Sequence, residues 1–111
     1  MLAHDFIIVD VIPEPIKYSA FNKSAMTHIS DDFILEYWDK VFGAVDVFCD
    51  VYGNLKHGIA YHGTSILTPE MSMSLLKLME QVDRCHEDCS KLKHILSEAV
   101  NNKKFLLHFG I

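Results

Sequence analysis

The sequence predicts an α+β domain: a small mixed or antiparallel sheet of three to four strands with about three helices packed on it. Three observations lead there. A β-branched apolar run, Phe6 to Ile12, stands near the start and a second apolar run, Lys103 to Phe109, stands at the end. Between them lie two stretches, 31–52 and 71–101, whose apolar residues recur in helical steps of three and four. At 111 residues the chain has the length of a single domain, 1–111, able to bury a core without staples.

Each element has a local reason. Pro13 and Pro15 stop the first strand. Ile16 to Phe21 reads as a short strand or edge segment, and Asn22 to Ile29 as a polar loop. Ser30 is placed to cap a long helix near residues 31–52, with Asp31 and Asp32 in the first turn where the helix dipole favours carboxylates. At about 100° per residue, Ile34, Trp38, Val41, Val45, Phe48 and Tyr52 fall on one side of it, and Gly53-Asn54 is a suitable end. Phe33, Tyr37, Trp38, Phe42 and Phe48 are expected on the inward side, with Phe33 and Tyr37 nearest its rim. A strand follows from about Ile59 to Leu67, interrupted at Gly63. Thr68-Pro69-Glu70 is a helix start: a capping hydroxyl, a proline at the first helical position and a carboxylate behind it. The apolar stripe from Met71 to Ala99 would make one rod of about 45 Å, too long for a domain of this size, so a break is expected between Asp83 and Asp88.

Composition narrows the function. Half the residues are hydrophobic and 23% are charged, which is globular rather than disordered composition. The net charge of -5 disfavours nucleic acid or an anionic membrane as a direct ligand and suits a basic protein partner. No signal-peptide pattern opens the chain and no apolar run reaches membrane-span length, so a cytoplasmic location is expected. Three cysteines, Cys49, Cys85 and Cys89, make a disulfide framework a poor reading.

No P-loop, GxGxxG, HExxH or GxSxG motif is present. Seven histidines leave room for an acid/base pair built from His57, His62 or His108, with Lys56 and Tyr61 nearby in sequence, but nothing in the sequence fixes their geometry. Cys85-His86-Glu87-Asp88-Cys89 lacks the ligand number and spacing of a structural zinc site, and its cysteines continue the apolar stripe. No metal or cofactor is expected.

The opposite face of the predicted helix is acidic: Asp32, Glu36, Asp39, Asp46 and Asp50. Glu36 can pair with Lys40, whereas Asp32/Glu36, Glu36/Asp39 and Asp46/Asp50 are like-charge neighbours that each cost about 0.2 to 0.5 kcal/mol. Asp46 and Asp50 would also oppose the dipole at the helix end. Charges that cost stability without local benefit are candidates for partner binding.

Tyr61-His62-Gly63-Thr64-Ser65-Ile66-Leu67-Thr68-Pro69-Glu70 with its Leu/Met-rich continuation, and the segment Phe105 to Ile111, resemble small bacterial immunity proteins of contact-dependent growth inhibition and related polymorphic toxin systems. The resemblance covers the C-terminal half, where Gly63, Pro69 and Gly110 look like fold positions. It implies a non-enzymatic toxin inhibitor that forms a heterodimer with the C-terminal domain of its cognate toxin, often a nuclease, and carries over no functional residues. Joined to the charge reasoning, it gives an expected partner surface of Asp32, Glu36, Asp39, Asp46 and Asp50 facing a basic nuclease. The rival readings are a small hydrolase or nuclease using histidines, and an interaction module unrelated to toxins.

Overall fold

Strand alternation sets the frame. The computed structural model describes residues 2–82 and 86–111. In β1 (Ala3–Val9), His4 and Phe6 are fully buried on one face and Ile7 is buried on the other, the two-residue period of a strand covered on both sides. It lies in a six-stranded antiparallel sheet of order β2-β1-β6-β5-β3-β4, with β2 at Thr27–Ser30, β3 at Asp46–Cys49, β4 at Leu55–His57, β5 at Thr64–Leu67 and β6 at Phe105–Phe109. The α+β class is as expected, but the sheet has six strands rather than three to four.

The largest correction concerns residues 31–52. Instead of one helix there is α1 (Asp31–Glu36), a π-helical turn (Trp38–Phe42) and then strand β3. Val41 and Val45 are buried as a helical stripe would require, but Val45 and Val47 alternate with exposed Asp46, and this second period prevails once β5 and β4 flank the segment. Gly43 makes the switch possible. A Cβ there would lie 2.8 Å from the Trp38 indole nitrogen and 2.9 Å from the Trp38 carbonyl, so the chain leaves the helix where the tryptophan folds over it. Gly53-Asn54 consequently belongs to the β3–β4 turn and ends no helix.

Other boundaries move less. The first strand ends at Val9, short of Ile12, and the last begins at Phe105 rather than Lys103. Ile16 to Phe21 is not a strand and holds a 3-10 turn at Tyr18–Ala20, while the predicted loop Asn22 to Ile29 contains the start of β2. The strand expected from Ile59 is confined to Thr64–Leu67 and starts directly after Gly63.

The helical readings with strong caps agree with the structure. Ser30 accepts from the Phe33 N–H at 3.1 Å, and Thr68 accepts from the Met71 N–H at 3.2 Å to start α2 (Pro69–Leu78). A 3-10 turn at Met79–Gln81 follows, and α3 (Glu87–Asn101) begins with the His86 ring accepting from the Asp88 N–H. The stripe is therefore two helices. Asp83 to Cys85, part of the predicted break, lie outside the described residues. The longest dimension of the molecule is 36 Å, less than the single rod would need.

Helices α1, α2, α3 and the π-helical turn share one face of the sheet, where Phe6, Val47, Leu67 and Leu106 meet Phe33, Phe42, Leu75, Leu92 and Leu96. The opposite face carries Ile7, Ile66, Leu107 and Phe109 beneath a strap formed by residues 10–26, from which Ile12, Ile16, Tyr18, Phe21 and Met26 pack inward. Of the five aromatics expected inward on one helix, Phe33 and Phe42 are core on the helical face, Tyr37 and Trp38 pack beside it, and Phe48 lies on the strap side. Phe33 is fully buried rather than at a rim.

One close approach closes the fold. The Gly110 N–H donates to the Gly63 carbonyl at 2.7 Å and the Ile111 N–H donates to the Tyr61 carbonyl at 3.0 Å; a Cβ on Gly110 would come within 2.2 Å of that Tyr61 oxygen. Gly110→Ala is expected to lower stability by about 2 kcal/mol, as overpacking against rigid backbone does. A urea midpoint equal to that of the parent protein would contradict this packing.

Candidate interaction surface and its buried support

A chain of polar side chains runs from the middle of the sheet to the start of α1. Strand parity puts His4, Ser65 and His108 on the helical face, each with no exposed surface. Ser65 Oγ lies 3.0 Å from His108 Nδ1, His108 Nε2 lies 2.8 Å from His4 Nδ1, and His4 Nε2 lies 2.9 Å from Asp31 Oδ1. The Tyr61 hydroxyl donates to the other Asp31 oxygen at 2.8 Å, and the Ala60 N–H donates to Ser65 Oγ at 2.8 Å.

Counting donors assigns the protons. Burial pushes the Asp31 carboxyl up, but hydrogen bonds from His4 and Tyr61 outweigh it and hold the group below its ordinary value, so Asp31 is a carboxylate at neutral pH. It accepts from His4 Nε2–H. His4 Nδ1 then accepts from His108 Nε2–H, and His108 Nδ1 accepts from the Ser65 hydroxyl. Reversing the direction would leave the Ser65 proton without an acceptor among the hydrogen bonds of the described residues. Burial, with a smaller push from His4, lowers the His108 pKa to about 3, which agrees with a neutral ring in the middle of the chain. The Tyr61 phenol is raised, by its bond to Asp31 first and by burial second.

The chain fixes α1. Asp31 is anchored at both oxygens, its N–H donates to the Leu2 carbonyl at 3.0 Å, and the Ser30 N–H donates to Asp88 Oδ2 on α3 at 3.1 Å. The next residue, Asp32, is exposed, as are Leu35, Glu36 and, on the following turn, Asp39. Leu35 is 50% exposed between the acids. Among the described residues no ion pair engages Asp32, Glu36 or Asp39; the expected Glu36–Lys40 pair is not formed.

Asp46 and Asp50 do not continue this row. Asp46 opens β3 and pairs with His57 across the hairpin at 2.9 Å, both side chains largely exposed. Asp50 follows β3 in the left-handed region, φ 64°, and its carboxylate accepts from the Thr64 N–H at 3.3 Å. Asp residues tolerate this conformation because a short acceptor satisfies nearby backbone. Both therefore have local partners, and the expectation of a single acidic ribbon through all five residues gives way to a short row on α1 and the π-helical turn after it, and two separate carboxylates on the β3 hairpin.

The histidines named from sequence are equally dispersed. His57 is exposed beside Asp46, His62 is exposed with Nδ1 3.0 Å from the Ile111 oxygen, and His108 is sealed in the core. Lys56 is exposed on edge strand β4, and Tyr61 belongs to the buried chain. The Ser65–His108 contact has the spacing of a nucleophile and its base, but Ser65 has no accessible surface and its oxygen already holds a backbone N–H. Cys89 is a buried core residue, and Cys85 lies outside the described residues. Among the described residues no group of three or more histidine, cysteine or carboxylate side chains is placed to hold a metal ion, and no helix is long and apolar enough to cross a membrane. His4 and Ser65 escaped sequence reasoning, and the sequence marks Asp31 only as a helix-start carboxylate, because the three are far apart in the chain and only the folded sheet brings them together.

No family model matches the chain, and no curated protein matches it. A solved structure shares the fold: Neisseria DNA mimic protein DMP12 superposes with a TM-score of 0.56 at 14% identity, over 96% of this chain and 98% of that one.

Acid should undo the buried chain. His108 is held neutral in the folded protein at a pKa of about 3, whereas the unfolded ring protonates near 6.5, so its contribution to stability is complete above pH 6.5 and is lost as pH falls toward 3. Asp31, also lowered, adds a loss in the same direction below its ordinary value of 3.8. A urea midpoint that falls steadily from pH 7 to pH 4, with much of the slope removed in His108→Gln, is the expected result. Ser65→Ala leaves His108 Nδ1 without its donor and is expected to cost about 1 to 3 kcal/mol in urea unfolding at pH 7.

Proposed function

We infer that the protein is a non-enzymatic binding protein that covers the basic, phosphate-binding surface of a protein partner, and that the partner is the nuclease domain of a cognate toxin. The observation that carries this reading is the outer row of α1 and of the π-helical turn after it. Asp32 and Glu36 on α1 and Asp39 on that turn flank exposed Leu35, without an ion pair among the described residues, and the first residue of α1 is bolted into the core. Carboxylates on a rigid element can stand where phosphates would lie, and an exposed leucine among them supplies apolar contact. The net charge of -5 attracts a basic partner over distance. A shared fold with a protein named as a DNA mimic supports the same reading, as does the sequence resemblance to immunity proteins.

The test first reads what is encoded beside this chain and uses the nuclease toxin domain expected there; a neighbourhood without one counts against the toxin reading. Nuclease activity on duplex DNA or RNA is measured with added protein at several salt concentrations, and binding is measured separately. The parent protein is expected to abolish cleavage. Asp32→Lys, Glu36→Lys and Asp39→Lys together are expected to slow association about tenfold or more at low salt, flatten its salt dependence and leave the melting temperature nearly unchanged. Asp46→Lys with Asp50→Lys is expected to affect binding less. Cleavage that continues with saturating protein defeats the toxin reading, and unchanged association by the α1 variant defeats this surface.

A further inference from the structure

The strap covers only part of the sheet face that the helices leave open. Between its first residues and the β3–β4 turn lies a groove of about 1040 Å³, walled by Asp10, Val11 and Glu14 on one side and by Asp50 and Tyr52 on the other, with Phe105 among its lining residues. Phe105 and Phe48 belong to the strap-side cluster, and the Tyr52 ring packs on both, with centroids 4.9 Å from Phe48 and 6.0 Å from Phe105. Val11 is 76% exposed and Tyr52 is 58% exposed. Large apolar side chains at such exposure, gathered at one concavity, are unusual on a surface with no partner.

The lining is also one-signed. Asp10, Glu14 and Asp50 are among its lining residues and no lysine or arginine is; Lys104, outside the lining, pairs with Asp10, the Asp50 carboxylate accepts from the Thr64 N–H, and neither Glu14 nor Asp50 has an ion pair among the described residues. A planar guanidinium suits this combination better than an ammonium does, because it can lie on the Tyr52 ring while its N–H groups meet carboxylates in bidentate fashion. An extended segment fits the open trough, with apolar side chains reaching Val11 and Phe105. We propose that this groove is a docking site for an extended, arginine-bearing and partly apolar segment of a basic protein partner. It lies on the other side of the sheet from α1, so the two surfaces are separate. The proposal shares with the functional reading only the sign of the partner's charge.

The probe is a fluorescent peptide of alternating leucine and arginine, with citrulline and lysine versions as controls, titrated into the intact protein by anisotropy and by backbone amide shifts. Expected are saturable binding of the arginine peptide, at least fivefold weaker binding of both controls, and shifts centred on residues 10–16, 50–52 and 105. Tyr52→Ala and Glu14→Lys should each weaken binding at least fivefold. Glu14 is exposed, so Glu14→Lys keeps the test readable if Tyr52→Ala loosens the hairpin. Shifts spread equally over Asp32 and Glu36, lysine binding as tight as arginine, or no saturation overturn the proposal. So does a second copy of the chain as occupant, seen as a dimer that Val11→Asp abolishes. Intact nuclease inhibition with no peptide binding removes this groove alone, whereas peptide binding without nuclease inhibition removes the toxin reading alone.

Discussion

The hydrogen-bonded chain from Ser65 through His108 and His4 to Asp31 is the constraint on which the rest of the molecule is arranged. It threads the three central strands and ends at the first residue of a six-residue helix, too short to be stable without tertiary anchoring. A buried polar chain of this kind gives up little net stability when every member is satisfied, and it punishes any misalignment with an orphaned group. Register follows: a slip of one residue in β1 would turn His4 to the strap side and cost Asp31 its imidazole donor, and a slip in β6 would turn His108 away and leave His4 Nδ1 and the Ser65 hydroxyl proton unpaired.

What could be read in the sequence was local. Ser30 and Thr68-Pro69 announced their helices because a cap acts within three residues, and the terminal run Phe105 to Phe109 had no competing pattern. Residues 41–52 misled because Val41, Val45, Phe48 and Tyr52 satisfy a helical period while Val45, Val47 and Cys49 satisfy a strand period. Gly43 carried the deciding information, at a cost of roughly 1 kcal/mol to a helix interior, but its meaning lies in the Trp38 indole that occupies the space of a side chain. β2, β3 and β4 are three or four residues each, and nothing in so short a run distinguishes a strand from a loop until a neighbour pairs with it.

The candidate surface was legible in its charges and not in its geometry. Asp32 and Glu36 stand outward because α1 starts where the sequence indicated, and Asp39 stands outward on the π-helical turn that replaces the rest of the expected helix. Asp46 and Asp50, which a helix rule could not explain, have strand and turn explanations: an exposed cross-strand partner in His57, worth little in water, and a backbone N–H at Thr64. The same two residues thus lost one argument for partner binding, and Asp50 gained another through the groove it helps to wall.

Asp31 and Asp32 are adjacent and chemically identical, yet one is committed to the interior and the other to solvent. The buried frame and the outward charge are in this way written on opposite sides of a single turn of backbone. Side chains on the outer row can be exchanged one by one without any change to the hydrogen bonds beneath, so the outward chemistry of this turn is free to vary while the frame stays the same.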